Sequence, residues 1–147
     1  FLKEAQKRLQ DYNIVLSADL FGLTTTVKGD LGIGQDITRV AQYVDYISPM
    51  LYPSHYSQGI YGIENPARSP YQIIAKSLAD AKEKLGPDAN KIRPWLQDFS
   101  LAHSYNKKEI KAQIRAVEDQ KLSSWLLWNP SSRYTIEALI NNKEGDV

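Results

Sequence analysis

Four apolar runs in the chain carry side chains that can do chemistry at or near their ends. They are Ile14-Val-Leu-Ser-Ala-Asp-Leu-Phe21, Val44-Asp-Tyr-Ile-Ser-Pro-Met-Leu-Tyr52, Ile92-Arg-Pro-Trp-Leu-Gln-Asp98 and Ser124-Trp-Leu-Leu-Trp-Asn129. The groups they deliver are Asp19, Tyr52, Gln97, Asp98, Trp128 and Asn129. A carboxylate can move a proton or take a covalent bond. Amides and a phenol hydrogen-bond hydroxyl groups, and an indole offers a flat apolar surface with one donor at its edge. Carboxylate, amide and aromatic side chains in one place suit a polyhydroxylated ligand, so the set reads as a sugar site.

The segments between these runs must hold them in register. Leu2, Ala5, Leu9 and Tyr12 recur at helical spacing among charged residues, which predicts an amphipathic helix before a strand over residues 14–21. A Gly/Thr-rich loop then leads to a short helix over residues 35–43, with Asp36 at its positive end. The second strand, residues 45–51, is halted by Pro53. The loop that follows, residues 53–69, is longer than the usual connection of about 2–6 residues, which marks it as a candidate binding loop. It carries His55, Tyr56 and Glu64. Ser69 and Pro70 start a helix that runs to Leu85 and stops at Gly86-Pro87. A third strand is expected over residues 91–97. Asn106 with Glu109 forms a capping box for a helix over residues 107–120. A fourth strand over residues 123–128 and a last helix over residues 133–141 complete the pattern, with residues 142–147 as a frayed tail. Strands alternating with helices in this way predict an α/β fold with a parallel sheet, where function gathers beyond the carboxyl ends of the strands.

Composition narrows the function classes. At 147 residues, with 42% hydrophobic and 24% charged residues, the chain can bury the core of one domain. A net charge of +1 gives no electrostatic case for nucleic acid. No apolar run approaches the ~20 residues of a membrane span. Without cysteine there are no disulfides, zinc–thiolate sites or thiol chemistry, and the compartment stays open. Nine Tyr and three Trp stand against three Phe, an excess of aromatics with a polar handle. The one glycine-dense stretch, Gly29-Asp-Leu-Gly-Ile-Gly34, lies well after the first strand and lacks dinucleotide spacing. No His/Asp/Glu trio has metal-ligand spacing, so neither a metal nor another cofactor is expected.

Strand parity favours a barrel over an open doubly wound sheet. Ser17, Asp19 and Phe21 share one face, as do Ser48, Met50 and Tyr52, Trp95 and Gln97, and Leu126 and Trp128. The opposite face is aliphatic and suits packing against helices. A complete (β/α)8 barrel needs ~250 residues, so four βα units make about half of one. Half a barrel leaves two strand edges and a polar, aromatic face uncovered. Their expected partner is the other half of the barrel in a longer parent chain, or a second copy that covers the open edges.

The motifs Ser17-Ala-Asp-Leu-Phe-Gly22, Ile47-Ser-Pro-Met-Leu-Tyr-Pro-Ser-His-Tyr56, Asn65-Pro66, Arg93-Pro-Trp-Leu-Gln-Asp-Phe99 and Trp125-Leu-Leu-Trp-Asn129 together resemble a bacterial family described as a "putative glycoside hydrolase domain". That family is distantly similar to chitinase-like and alpha-amylase-like TIM barrels. The resemblance covers nearly the whole chain and implies that residues 1–147 are the C-terminal half of one TIM-barrel domain, strands five to eight. It further implies a carbohydrate substrate and an extracellular or cell-envelope setting. The fourth strand, where related families place a catalytic carboxylate, lies outside the chain, so the expected chemistry needs a partner residue and this fragment alone should be inactive.

Glycoside hydrolysis needs two carboxyl groups flanking the bond. On this resemblance Asp19 and Asp98 are the catalytic candidates. The ordinary alternatives are rim carboxylates that bind loop amides. By parity Gln97 points inward and Asp98 turns with its loop. Tyr52 matches a tyrosine near the reacting centre of chitinase-like barrels, or is a core tyrosine. Trp128 is a stacking platform, or barrel filling. His55 can bind substrate or shuttle a proton, although a lone His is more often structural, and Glu64 is a loop carboxylate whose ordinary alternative is a solvated loop charge. Gln97 and Asn129 complete the substrate-binding set. The rival reading is a carbohydrate-binding barrel that no longer cleaves.

Overall fold

In the computed structural model, residues 1–101 and 103–140 are described. The elements are α1 (Leu2–Leu9), β1 (Ser17–Phe21), α2 (Ile37–Ala41), β2 (Tyr46–Leu51), α3 (Pro70–Leu85), β3 (Trp95–Gln97), α4 (Lys107–Asp119) and β4 (Leu126–Trp128). The four strands form one parallel sheet in the order β1-β2-β3-β4. Each strand lies beside its sequence neighbour, as expected of consecutive βα units.

The predicted parity holds. Leu20, Ile47, Leu51 and Leu96 lie on one face and pack, with Ile73, Ile74 and Leu78 of α3 and Ala116 and Val117 of α4, into a single core. Leu16, Ala18, Trp125 and Leu127 adjoin it. Ser17, Asp19, Phe21 and Trp128 on the other face are exposed, while Ser48 and Gln97 on it are buried; among the described residues no helix covers that side. The architecture is therefore one layer of helices on one face of a four-stranded parallel sheet, a partial (β/α)8 barrel with its inner face open.

The strands are shorter than the apolar runs. β1 begins at Ser17 rather than residue 14, because its only ladder partner, β2, begins opposite it at Tyr46. Ile14 and Val15 precede the ladder and stay exposed. The Asp45 carboxylate closes the ladder by accepting from Leu16 N–H at 2.8 Å. β3 is reduced to Trp95–Gln97 with an isolated bridge between Ile92 and Ile47. Pro94 has no N–H to give the ladder. β4 is limited to the three residues that β3 can pair.

Helix ends follow local chemistry. The Asp36 carboxylate accepts from Thr38 and Arg39 N–H at 2.9 and 3.1 Å, capping α2. Asn106 and Glu109 form the expected capping box on α4. Ser69 occupies the N-cap position of α3, but its side chain makes no capping bond; Pro70 at the first position carries the start instead. α1 ends at Leu9, short of Tyr12, which is exposed. The last predicted helix is only a 3-10 turn, Ile136–Ala138, in the described residues. Asp98 takes the N–H and the hydroxyl of Thr135 just before it, and Ile136, Leu139 and Ile140 find no apolar surface to cover them. The expected frayed tail, residues 142–147, lies outside the described residues.

Candidate functional site

The open face of the sheet carries one connected constellation. Trp95 Nε1–H donates to Asp19 Oδ1 at 2.9 Å, across two strand positions. The Trp95 ring meets Trp128 edge to face, with centroids 6.0 Å apart and planes at 83°. This T-shaped contact fixes the indole that holds the carboxylate. Trp128 is 43% exposed, so much of the residue remains open to solvent. Below them, Ser17 and Ser48 hydroxyls meet at 3.2 Å. Parity put Trp95 on this face, yet its role escaped the sequence reading. The available signal was its inward position one residue pair before Gln97.

Tyr52 and His55 extend the constellation along the end of β2. Tyr52 is buried, and its ring packs edge-on against His55 at 5.4 Å and Phe99 at 5.5 Å. Burial pushes the Tyr52 hydroxyl well above the ordinary tyrosine range, with the nearby Asp19 charge and Tyr134 adding to the shift. His55, packed against Tyr52, is exposed.

Three candidates are engaged in holding loops. Gln97 is fully buried; its Oε1 accepts from Ser54 N–H at 3.1 Å, and its Nε2 donates to Ser54 Oγ and Phe99 O, each at 2.8 Å. Its backbone is gripped in turn by the Gln113 side chain. Asp98 is 2% exposed, its two oxygens accepting from Thr135 Oγ1 and Thr135 N–H at 2.8 Å each. Asn129 donates to the carbonyls of Asp98 and Arg133 and accepts from Ser131 N–H. Both Asp98 oxygens thus accept from Thr135, an arrangement that fits its ordinary alternative, a loop-holding carboxylate. Glu64 stands apart: it lines a separate depression of about 510 Å³ with Ser54, Gln58 and Asn65.

The loop over residues 53–69 is built from 3-10 turns and pinned by the buried Tyr56 and Tyr105 and the half-buried Tyr61. Tyr56 OH accepts from Ser77 Oγ at 3.0 Å, Tyr61 OH donates to Asp80 at 2.6 Å, and Tyr105 OH donates to Ala67 O at 3.0 Å. Burial, then the Asp80 hydrogen bond, pushes Tyr61 up to about 12; burial also raises Tyr56 and Tyr105. A tyrosine whose folded pKa lies above its unfolded value stabilises the fold fully below about pH 10. That contribution is lost as pH rises from there toward the folded value, about 12 for Tyr61. Thermal unfolding followed from about pH 9 to about pH 11 should therefore show a falling melting temperature, and Tyr61→Phe should flatten the fall. An unchanged slope in Tyr61→Phe would remove this tyrosine from the account.

Among the described residues, no group of three or more His, Cys, Asp or Glu is placed to hold a metal ion, and no helix is long and apolar enough to cross a membrane. Arg93, two residues before β3, lies over the Tyr46 ring at 4.4 Å, and its Nε is buried without a hydrogen-bond partner among the described residues.

Among solved structures, the spore cortex-lytic enzyme SleL of Bacillus megaterium QM B1551 shares this fold with a TM-score of 0.63 at 14% identity, over 94% of this chain and 43% of its own. The glycoside hydrolase domain of PgaB (BpsB) from Bordetella bronchiseptica gives 0.59 at 13% identity, over 95% of this chain and 35% of its own. The chain thus spans less than half the length of either structure. No curated protein matches it. Residues 1–134 match a sequence family whose description is "Putative glycosyl hydrolase domain". With its open inner face and most of its length within that match, the chain belongs to this glycosyl hydrolase domain family.

Proposed function

We propose that the open face of the sheet binds a polysaccharide and forms part of a glycosidase active site in a complete barrel. The observation that carries the reading is the Asp19–Trp95–Trp128 constellation: a carboxylate held by one indole beside a second indole that is open to solvent. The apolar face of a pyranose lies on Trp128 and buries carbon without losing its hydroxyl hydrogen bonds. Asp19 has its second oxygen available, and Tyr52 supplies a hydroxyl that stays protonated. Gln97, Asp98 and Asn129 act indirectly, by holding the loops in which Ser54, Phe99 and Thr135 sit. His55 borders the site, while Glu64 has no part in it.

Hydrolysis needs a second carboxyl about 5–5.5 Å away for retention, or about 6.5–9.5 Å for inversion. Asp98 is committed to Thr135, which leaves Asp19 as the one inward carboxylate among the described residues with an oxygen to spare. The four βα units therefore correspond to strands five to eight, and the second carboxylate comes from the N-terminal half of the barrel. The unpaired Arg93 Nε and the two open sheet edges support that completion. On its own the chain binds glycan without cleaving it.

Retention on insoluble glycans tests this. Losing the Trp128 platform should cost about 2 kcal/mol of burial, so Trp128→Ala should bind roughly 30-fold more weakly. Unchanged retention in this variant would separate the glycan from this face.

A further inference from the structure

The turn that follows β4 is held more firmly than its exposed position requires. Asn129 Oδ1 accepts from Ser131 N–H at 2.8 Å, and Asn129 O accepts from Ser132 N–H at 3.0 Å. Asn129 Nδ2 donates to Arg133 O at 2.7 Å, so the turn closes on its own first residue. Just past β3, Asp98 holds the far side by accepting the N–H and the hydroxyl of Thr135. Asp98 N–H in turn donates to Trp128 O at 2.9 Å. Residues 133 and 135 are thus both tied to groups adjoining Trp128. Tyr134 lies between them, carried back to the strand end that bears that indole.

Such a clamp is costly. A carboxylate that is 2% exposed has given up its water. Ser132 is held at φ 53°, a left-handed conformation that residues other than glycine rarely adopt. Strain of this kind persists where the surroundings impose it, and it gathers at ligand sites. What the clamp presents is Tyr134, which is 40% exposed. Its charge also adds to the upward shift of the Tyr52 hydroxyl, an electrostatic link to the site. An aromatic ring fixed in advance meets a ligand with little further loss of freedom. Ile136, Leu139 and Ile140 are exposed as well, but they lie beyond the clamp and lack the flat face on which a pyranose stacks.

We infer that Tyr134 is a second aromatic platform, which takes the sugar unit adjacent to the one stacked on Trp128. The site then selects chains of linked sugars over single ones. The inference rests on the sugar-binding reading of the open face and adds a neighbouring subsite to it. Asp98 and Asn129 hold the turn and need touch no sugar.

NMR titration of the chain with β-1,4-linked glucose and N-acetylglucosamine oligosaccharides, from the methyl glycoside of one unit to four units, tests it. In at least one series the tetramer should bind about 10- to 30-fold more tightly than the single unit, the yield of burying one further sugar face. Tyr134→Ala and Tyr134→Leu should both bring this ratio below about threefold. Tyr134→Phe should keep it, because the ring face and not the hydroxyl makes the contact. All three variants should melt within about 3 °C of the parent, since the position is exposed. A parent that binds one and four units equally, or a ratio that survives in Tyr134→Ala and Tyr134→Leu, would overturn the second platform and leave the sugar-binding face standing. No binding of any member of either series would overturn both.

Discussion

Asp98→Ala should lower the stability of the chain by about 3 kcal/mol, a drop in melting temperature of roughly 10 °C. The carboxylate is 2% exposed, and both its oxygens are used by Thr135. Hydrogen bonds to a charged group are each worth about 1.5–3 kcal/mol, and the variant also leaves Thr135 N–H without its acceptor. Asp98→Asn keeps one acceptor oxygen, so it should fall between the variant and the parent. Glu64→Ala, at an exposed loop position, should stay within about 0.5 kcal/mol of the parent. Circular-dichroism melts of the four proteins decide this. Equal melting temperatures for Asp98→Ala and Glu64→Ala would contradict the loop-holding role.

The second large effect is expected at Asp19. In a complete barrel, Asp19→Asn should reduce the release of reducing ends by about 100- to 10,000-fold, the span of a positioned acid or base. Binding should change little, since an asparagine side-chain oxygen can still accept from Trp95 Nε1–H and the Trp95–Trp128 pair is left in place. A loss of catalysis with retained binding identifies a group that acts in the transition state. Equal activity in the two proteins would assign the hydrolysis to other carboxylates and leave Asp19 as a rim residue.

Much of the fold was legible because strand parity and helix caps are local. The period-two patterns around Leu20, Ile47, Leu51 and Leu96 predicted which face the helices cover. Asp36, Asn106 and Gly86 marked helix ends by chemistry contained within a few residues. Strand lengths were not legible, because a ladder needs a partner: Ile14 and Val15 are as apolar as a strand, but Tyr46 and Asp45 at the start of β2 bond back to Leu16 and not beyond it. The last helix failed for a related reason. Thr135 is claimed by Asp98, 37 residues away in sequence, and no window of neighbouring residues contains that bond.

The site divided along the same line. Residue type and parity were enough to place Asp19 and Trp128 on the open face. They could not tell a polar side chain that faces a ligand from one that holds a loop. Gln97, Asp98 and Asn129 have the chemistry of a sugar site, and they also hydrogen-bond Ser54, Thr135 and Ser131. Trp95 shows the converse: an apolar residue by composition, it is the donor that fixes the candidate carboxylate.

The three tryptophans provide the most direct test of the central claim, that the open face is where glycan binds. Trp95 and Trp128 lie on that face, whereas Trp125 packs toward the core on the helix side. Each gives its own indole N–H signal in a proton–nitrogen correlation spectrum. Titration with soluble oligosaccharides should shift the Trp128 and Trp95 signals in a saturable way and leave Trp125 in place. Shifts confined to Trp125, or binding that moves none of the three, would contradict the account.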